Sequence, residues 1–362
     1  MKHFMILPLL TLCLTTCNKT SPYKEYMENS MQTSIRWRDN TTGIWETAGW
    51  WNSANLLTTV IRYSEVKKSD DLYPLIDDIY TKAKHYQTGI DSTGTPTYCN
   101  NFINDYYDDE AWWALAWIEA HKITKQKKYL DMAKTIFDDL TTGWDETCNG
   151  GIYWKKNPLH YKNSIANNLF SLTAIRLYKA TKENKYAEWF EKNVNWYLQT
   201  GMINTTTYQV EDGTNENCEP NRNQHYTYNQ GVAIAVLTEA YLHNNEKQYL
   251  ELAGKIAQST ITSQLVTQEG ILREMRPEID KSNDGVQFKG IFIRHISLLY
   301  HITKDPVYKN FIIKNAESIT TTNYDKTSKS FSYHWHGPYI EPNAAANSSA
   351  LECIIEAYDL TK

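Results

Sequence analysis

The chain has no basic block. Its net charge of −5 is spread over 362 residues, which argues against nucleic acid as a partner. No C-x-x-C pair is present, so a zinc knuckle has no ligand set. No H-E-x-x-H is present either, which argues against a metallohydrolase of that kind. There is no G-x-G-x-x-G or phosphate loop, so no nucleotide, and no other cofactor or metal, is implied. Phenylalanine is scarce, at 9 residues against 12 Trp and 26 Tyr. Trp and Tyr rings combine a flat apolar face with a polar edge, which suits an amphipathic ligand such as a sugar. The plainer reading is a Tyr-rich core and surface.

One apolar run reads as a targeting element. Met1-Lys2-His3 precedes an apolar stretch from Phe4 to Leu14. It is too short for a permanent membrane span and has the layout of a secretory signal. Leu14-Thr15-Thr16-Cys17 resembles a bacterial lipobox, which makes residues 1–17 a lipoprotein signal peptide with Cys17 lipidated and anchored in a membrane; ordinary cleavage near Cys17 is the alternative. Residues 18–22 read as a polar tether without the acidic run of a surface-export signal. The expected setting is the outer membrane of a Gram-negative-type cell, periplasmic face favoured. Cys99, Cys148, Cys218 and Cys353 remain, and an exported chain can oxidise them; free thiols fit equally. No linker interrupts residues 23–362, expected to be one monomeric catalytic domain.

Hydrophobic period makes that domain all-α. Amphipathic segments rich in Lys and Glu cover 22–37, 71–87, 128–142, 185–199, 246–262 and 305–320. Between them lie segments apolar nearly all round: 50–65, 108–121, 164–180, 229–243, 288–302 and 346–359. A helix apolar on every side is buried. Six outer-type helices thus alternate with six inner-type helices, a repeat architecture. Six fully apolar helices fit a closed (α/α)6 barrel better than an open solenoid, which leaves one face of each inner helix wet. Inner-to-outer connections are short. Outer-to-inner connections are long, at 88–107, 143–163, 200–228, 263–287 and 321–345. Within them, Gly151-Ile152-Tyr153-Trp154 and Phe331-Ser332-Tyr333-His334-Trp335 alternate as short hairpins do. The site is expected where the long loops gather, at the N-termini of the inner helices.

At that end stands Asp108-Asp109-Glu110-Ala111-Trp112-Trp113. Acids in a first turn often cap a helix and answer its dipole. One cap needs one Asp, however, and extra charge at the mouth of a buried helix is costly unless a cleft accepts it. Retaining glycosidases hold two carboxyls about 5–5.5 Å apart, a separation adjacent aspartates can reach unaided. Two close carboxylates do not ionise together easily, so one keeps a proton and serves as acid. The helix N-terminus helps keep the other charged. Trp112 and Trp113 either wall the site or fill the core. Glu110 has no assigned chemistry beyond orienting its neighbours.

These residues carry a family resemblance. The sequence resembles glycoside hydrolase family 76, the α-1,6-mannanases, in Asp108-Asp109-Glu110-Ala111-Trp112-Trp113, Gly49-Trp50-Trp51-Asn52-Ser53-Ala54-Asn55, Gly150-Gly151-Ile152-Tyr153-Trp154, Lys162-Asn163-Ser164 through Asn167-Asn168-Leu169, Tyr228-Asn229-Gln230-Gly231 and Phe288-Lys289-Gly290. The resemblance implies endo-acting, retaining hydrolysis of α-1,6-linked mannose in an α-mannan or manno-oligosaccharide. It implies Asp108 as nucleophile and Asp109 as acid/base. It also makes Asp212 a sugar ligand; a D-G turn is the alternative. Trp50, Trp51, Asn52, Tyr228, Asn229, Gln230 and Lys289 complete the expected substrate site, Lys289 with a partner carboxylate. Three other readings compete. A sugar epimerase would use His295, His334 or His336. An inverting glycuronidase would share the barrel. A helical glycan-binding lipoprotein would share the anchor and the aromatics.

Overall fold

The computed structural model describes residues 21–90, 93–157, 161–222 and 224–362. The signal segment and Cys17 lie outside the described residues. Of the tether, Ser21 already belongs to the folded body: it is buried, and its hydroxyl lies 2.6 Å from that of Thr361.

Helices dominate the described residues. In chain order they are α1 (Lys24–Arg36), α2 (Trp50–Lys67), α3 (Tyr73–Lys82), α4 (Tyr107–Thr124), α5 (Lys127–Leu140), α6 (Ser164–Thr181), α7 (Asn184–Gln199), α8 (Thr227–Asn244), α9 (Lys247–Ile261), α10 (Pro277–Asp280), α11 (Gly285–Thr303), α12 (Pro306–Thr322) and α13 (Ala344–Asp359). Apart from the one-turn α10, they alternate outer and inner as the pattern predicts. The inner helices α2, α4, α6, α8, α11 and α13 pack each on the next, and α13 closes on α2. The result is an (α/α)6 barrel. Its outer helices follow ordinary amphipathic logic: α5 buries Tyr129, Met132, Ala133, Ile136, Phe137 and Leu140, while Lys127 points to solvent and pairs with Asp131. Inner helices approach closely where the sequence is small. A Cβ on Gly231 of α8 would sit 2.7 Å from the Phe292 Cα of α11, closer than packed carbon atoms approach.

The short turns have a common build. The first five inner helices end on a left-handed residue, Lys68, Lys125, Lys182, Asn245 and Lys304, with φ between 54° and 63°. Glycine is the usual occupant of that conformation. In four of the five the N–H closes on the carbonyl four residues back, as Lys125 does on His121 at 2.8 Å. That reversal keeps the inner-to-outer connections short and sends all the long loops to the opposite end.

Those loops carry little regular strand. β1 (Gln87–Ile90) pairs antiparallel with β2 (Pro96–Tyr98), Gln87 opposite Tyr98. β3 (Tyr324–Asp325) pairs with β4 (Ser330–Phe331), so the last loop does form a hairpin, but it stops at Phe331. Gly151–Trp154 makes one isolated bridge, Ile152 with Trp144, instead of a hairpin. A side chain replaces the missing strand: Asn167 of α6 accepts from Ile152 N at 2.8 Å and donates to Ile152 O at 2.9 Å. Cys148 and Cys218 form a disulfide between the α5–α6 and α7–α8 loops, Cα–Cα 5.3 Å, while Cys99 and Cys353 are buried free thiols.

Candidate active site

The first turns of the inner helices surround a cleft of about 480 Å³. Asp108 and Asp109 stand in it on the first turn of α4, with Asp212 and Asp284 also in its lining. Aromatic rings supply most of the rest. Trp51 stacks on Trp112 at a centroid distance of 6.1 Å. Tyr228 lies flat on Phe288 at 3.9 Å. Tyr106, Trp154, Tyr161 and Tyr226 are further walls, and among the described residues no lysine or arginine lines the space.

Each catalytic candidate is held by one neighbour. Trp154 donates its Nε1–H to Asp108 Oδ2 at 3.1 Å, and Asp108 Oδ1 has no hydrogen-bond partner. Asn104 donates its amide to Asp109 Oδ2 at 2.9 Å, and its own Oδ1 accepts from Tyr106 N at 3.0 Å. Trp154 reaches Asp108 because its loop zips onto the start of α4. Tyr107 N donates to Trp154 O at 3.0 Å, and Lys156 N to Asp105 O at 2.9 Å. Glu110 fastens the same loop from behind: it is fully buried and faces Lys156 Nζ at 3.3 Å. It therefore anchors the loop and takes no place in the cleft.

Burial raises the proton affinity of Asp108, Asp109 and Asp212. Asp108 is pushed well above the ordinary range by burial and by the charge of Asp109, against the Trp154 bond. Asp109 rises to about 7, through burial and the charge of Asp284, against the Asn104 bond. The two titrate as a unit, with one proton held between them near neutrality. Asp212 is raised by burial although Tyr161 donates to it at 2.6 Å and Asn229 at 3.0 Å.

Of the expected substrate residues, Trp51, Asp212 and Tyr228 line the cleft with the acid pair. Gly213, after Asp212, makes an isolated bridge with Asn163 instead of a D-G turn, and a Cβ there would meet the Tyr161 hydroxyl at 2.6 Å. Asn229 acts through Asp212. The other four are corrected. Trp50 is buried against Trp113, ring centroids 5.7 Å apart, and Asn52 is buried beside it outside the cleft lining. Gln230 spends its amide on the loop backbone, accepting from Val210 N at 2.8 Å and donating to Val210 O at 2.9 Å. Lys289 does have its carboxylate, Asp280, but the pair is buried away from the lining. Trp112 walls the site, whereas Trp113 is core.

Tyr106, Asn163, Tyr226 and Asp284 have no expected role, yet they are the N-cap residues of α4, α6, α8 and α11, and all four face the cleft. That shared position, one residue before each inner helix, is the signal that finds them. Asp284 also accepts from Trp51 Nε1–H at 2.8 Å.

The histidines are elsewhere. His295 is buried, its proton affinity lowered by burial and by Arg294 and Arg176, and it borders a pocket lined by Arg62 and His301 at the far end of the barrel. His334 and His336 pack on each other at 4.0 Å, outside the cleft lining. Among the described residues, one group able to gather a metal is His301, Glu356 and Asp359, but Arg62 already binds both carboxylates at 2.7 Å. No described helix is long and apolar enough to cross a membrane.

Residues 18–358 match the model for glycosyl hydrolase family 76. The chain belongs to glycosyl hydrolase family 76. A relative, the mannan endo-1,6-alpha-mannosidase DCW1 of Candida albicans, is 27% identical over 289 residues, covering 74% of this chain and 62% of the relative. The chain thus spans less than two thirds of the curated relatives it matches. Among solved structures, the GH76A alpha-1,6-mannanase of Salegentibacter sp. HEL1_6 superposes with a TM-score of 0.81 at 21% identity, covering 94% of this chain and all of that one. The Lin0763 protein of Listeria innocua gives 0.80 at 25% identity, covering 93% and 97%. These likenesses bear out the family 76 barrel. They also overturn the expected setting. The curated relatives come from Candida, Schizosaccharomyces and Saccharomyces, which are fungi, so placement in a Gram-negative outer membrane is withdrawn.

Proposed function

We propose that the chain is a retaining, endo-acting glycoside hydrolase that cleaves α-1,6-mannosidic bonds in an α-mannan backbone. The observation that carries this reading is the adjacent Asp108 and Asp109 in an aromatic cleft that no lysine or arginine among the described residues lines. Consecutive carboxyls favour direct attack, since an inverting pair needs a wider gap for water. Asp108 Oδ1, free of partners, attacks the anomeric carbon. Asp109 gives its proton to the departing glycosidic oxygen. The resulting mannosyl ester on Asp108 is then opened by a water whose proton passes to Asp109, and the second inversion restores the α-anomer. The scheme needs the shared proton on Asp109 and the charge on Asp108; burial raises the proton affinity of both, and the charge of Asp109 raises that of Asp108 as well, so the bound glycosidic oxygen must draw the proton onto Asp109. Aromatic rings at Trp51, Trp112 and Tyr228 offer sugar faces a stacking surface.

Two further points support the substrate. A Salegentibacter enzyme inactivated at two consecutive aspartates is described in complex with alpha-1,6-mannotetrose. The cleft also repels acidic sugars, because four carboxyls and no lysine or arginine face it; that weighs against a glycuronidase. The test is digestion of unbranched α-1,6-mannan with the product anomer followed by NMR at early times. Initial α-product is expected. Initial β-product overturns the retaining scheme, and no product overturns the hydrolase reading.

A further inference from the structure

We infer that Lys162, a buried residue outside the cleft, is a positioning residue that holds the Trp154 indole N–H on Asp108; this rests on Asp108 as nucleophile in the mannanase reading above. Lys162 stands between two residues that line the cleft, Tyr161 and Asn163, but its own side chain is absent from the lining and only 1% exposed. One turn of the α5–α6 loop wraps the ammonium. Lys162 Nζ donates to Asp145 Oδ1, Thr147 O and Gly150 O, each at 2.7 Å. An ammonium has three N–H donors, so each one has an acceptor, and the Asp145 carboxylate answers the charge. Without these partners a buried ammonium would be costly. The planar fork of an arginine does not match three acceptors gathered round one point. The loop is thus folded around a single lysine.

That turn leads into Trp154. The Tyr153 ring lies 4.6 Å from Lys162 Nζ, and its hydroxyl donates to Asp145 Oδ2 at 2.9 Å. Lys162 and Asp145 therefore grip Tyr153 by its ring and its hydroxyl. The next residue, Trp154, donates its backbone N–H to Tyr161 O at 2.8 Å, so it is tied to the neighbour of Lys162 as well. Glu110 and Lys156 fasten the loop just after Trp154; Lys162 fastens it just before. Held from both directions, the indole reaches Asp108 Oδ2 at 3.1 Å. Among the described residues no other side chain donates to Asp108. The bond opposes burial and the Asp109 charge, which both favour a proton on Asp108. It also selects the attacking atom, since it occupies Oδ2 and leaves Oδ1 without a partner.

The test measures kcat/KM against pH on unbranched α-1,6-mannan. The full chain is assayed as wild type, Trp154→Phe, Lys162→Met, Asp145→Asn and the double variant Lys162→Met/Trp154→Phe. Losing the indole N–H lets the proton affinity of Asp108 rise further, so the acid limb moves to higher pH. The remaining ionisable groups of the cleft, Asp109, Asp212, Asp284 and its tyrosines, are unchanged in all four variants. Trp154→Phe is expected to lose about 10–10²-fold, the worth of a hydrogen bond to a charged group. Lys162→Met is expected to lose nearly as much and to move the limb in the same direction. Both remove one contact, so the double variant should fall no more than about twofold below Trp154→Phe. Asp145 is 44% exposed, and Asp145→Asn is expected to keep the fold and move the limb the same way by less. If Lys162→Met does not fold, Asp145→Asn decides alone. An unmoved acid limb in the Lys162 and Asp145 variants, or losses that multiply in the double variant, overturns the inference and leaves the mannanase reading intact. A wild type that cleaves no mannan overturns that reading and the inference with it.

Discussion

The two ends of the barrel treat their acids in opposite ways. At the mouth of the inner helices, Asp108, Asp109, Asp212 and Asp284 share a cleft without a lysine or arginine in its lining. At the far end, the acids that line the pocket between the inner helices meet cations. Arg62 spans Glu65, Glu356 and Asp359, Arg294 pairs with Glu352, Arg176 with Glu119, and Lys122 bridges Glu65 and Glu119. Proton affinities diverge accordingly. Burial raises Asp108, Asp109 and Asp212. It also works against Glu65 and Asp359, but their Lys and Arg partners hold both below the ordinary range. Glu352 falls between, raised by burial in spite of Arg294. The same six helices thus build a neutralised lattice at one end and keep an exchangeable proton at the other, the pattern expected of structural and functional charge.

Removing the acids at the mouth gives the largest effect. Asp108→Asn is expected to lower kcat by about 10⁴-fold, and Asp109→Asn by about 10²–10⁴-fold, with mannan binding retained in both. Steady-state rates with a parallel binding assay check this; a fully active Asp108→Asn would remove the nucleophile assignment. Breaking the lattice at the far end acts on stability instead. Arg294→Met strands Glu352 and is expected to cost about 3–5 kcal/mol in urea unfolding, most of it recovered on adding Glu352→Met. A loss below about 1 kcal/mol would mean that the lattice contributes little.

The comparison also has a pH signature. Between the ordinary carboxylate value of 3.8 and about 7, folded Asp109 keeps a proton that the unfolded chain has lost. The Asp109 contribution to stability therefore declines as pH rises through that window, and that share of the decline is complete above it. Asp109→Asn escapes it, so its melting temperature should exceed the wild type's by more at pH 8 than at pH 4; a constant gap contradicts the raised pKa. A smaller change follows at Asp284, the carboxylate bonded to Trp51. Asp284→Asn removes one repulsion while burial remains, moving the alkaline limb of kcat/KM to lower pH; an unmoved limb excludes its charge as a contributor. Least of all, Lys125→Gly relieves a left-handed cap, gaining about 1 kcal/mol in chemical denaturation with the rate unchanged.

The alternation of amphipathic and all-apolar segments made the barrel legible, because twelve helices obey a single burial rule. The acid pair was legible for the same reason, since it begins an inner helix at the long-loop end. What escaped depended on contacts distant in sequence. Gln230 looks like a polar group beside a site, but its amide is consumed by Val210, as Asn167 is by Ile152 and Asn347 by Phe331 N. No local pattern marks such loop clamps. Lys289 at a helix start correctly asked for a carboxylate, yet Asp280 meets it in the interior instead of in the cleft. Tyr106, Asn163, Tyr226 and Asp284 were missed because nothing local marks the residue before a helix as one that faces a cleft, and for Asn163 capping alone accounts for the side chain. Only the ring closure, which turns four caps toward one space, gives them a second role.

The Cys148–Cys218 bridge joins the two loops that bring Trp154, Tyr161 and Asp212 to the cleft. Neither cysteine lies in one of the six inner helices. Protein made in a reducing cytosol would therefore keep its barrel and its helical spectrum while one wall of the cleft lost its covalent brace. A weak rate from such a preparation would report how the sample was matured, and the state of that single bond belongs beside every activity measured.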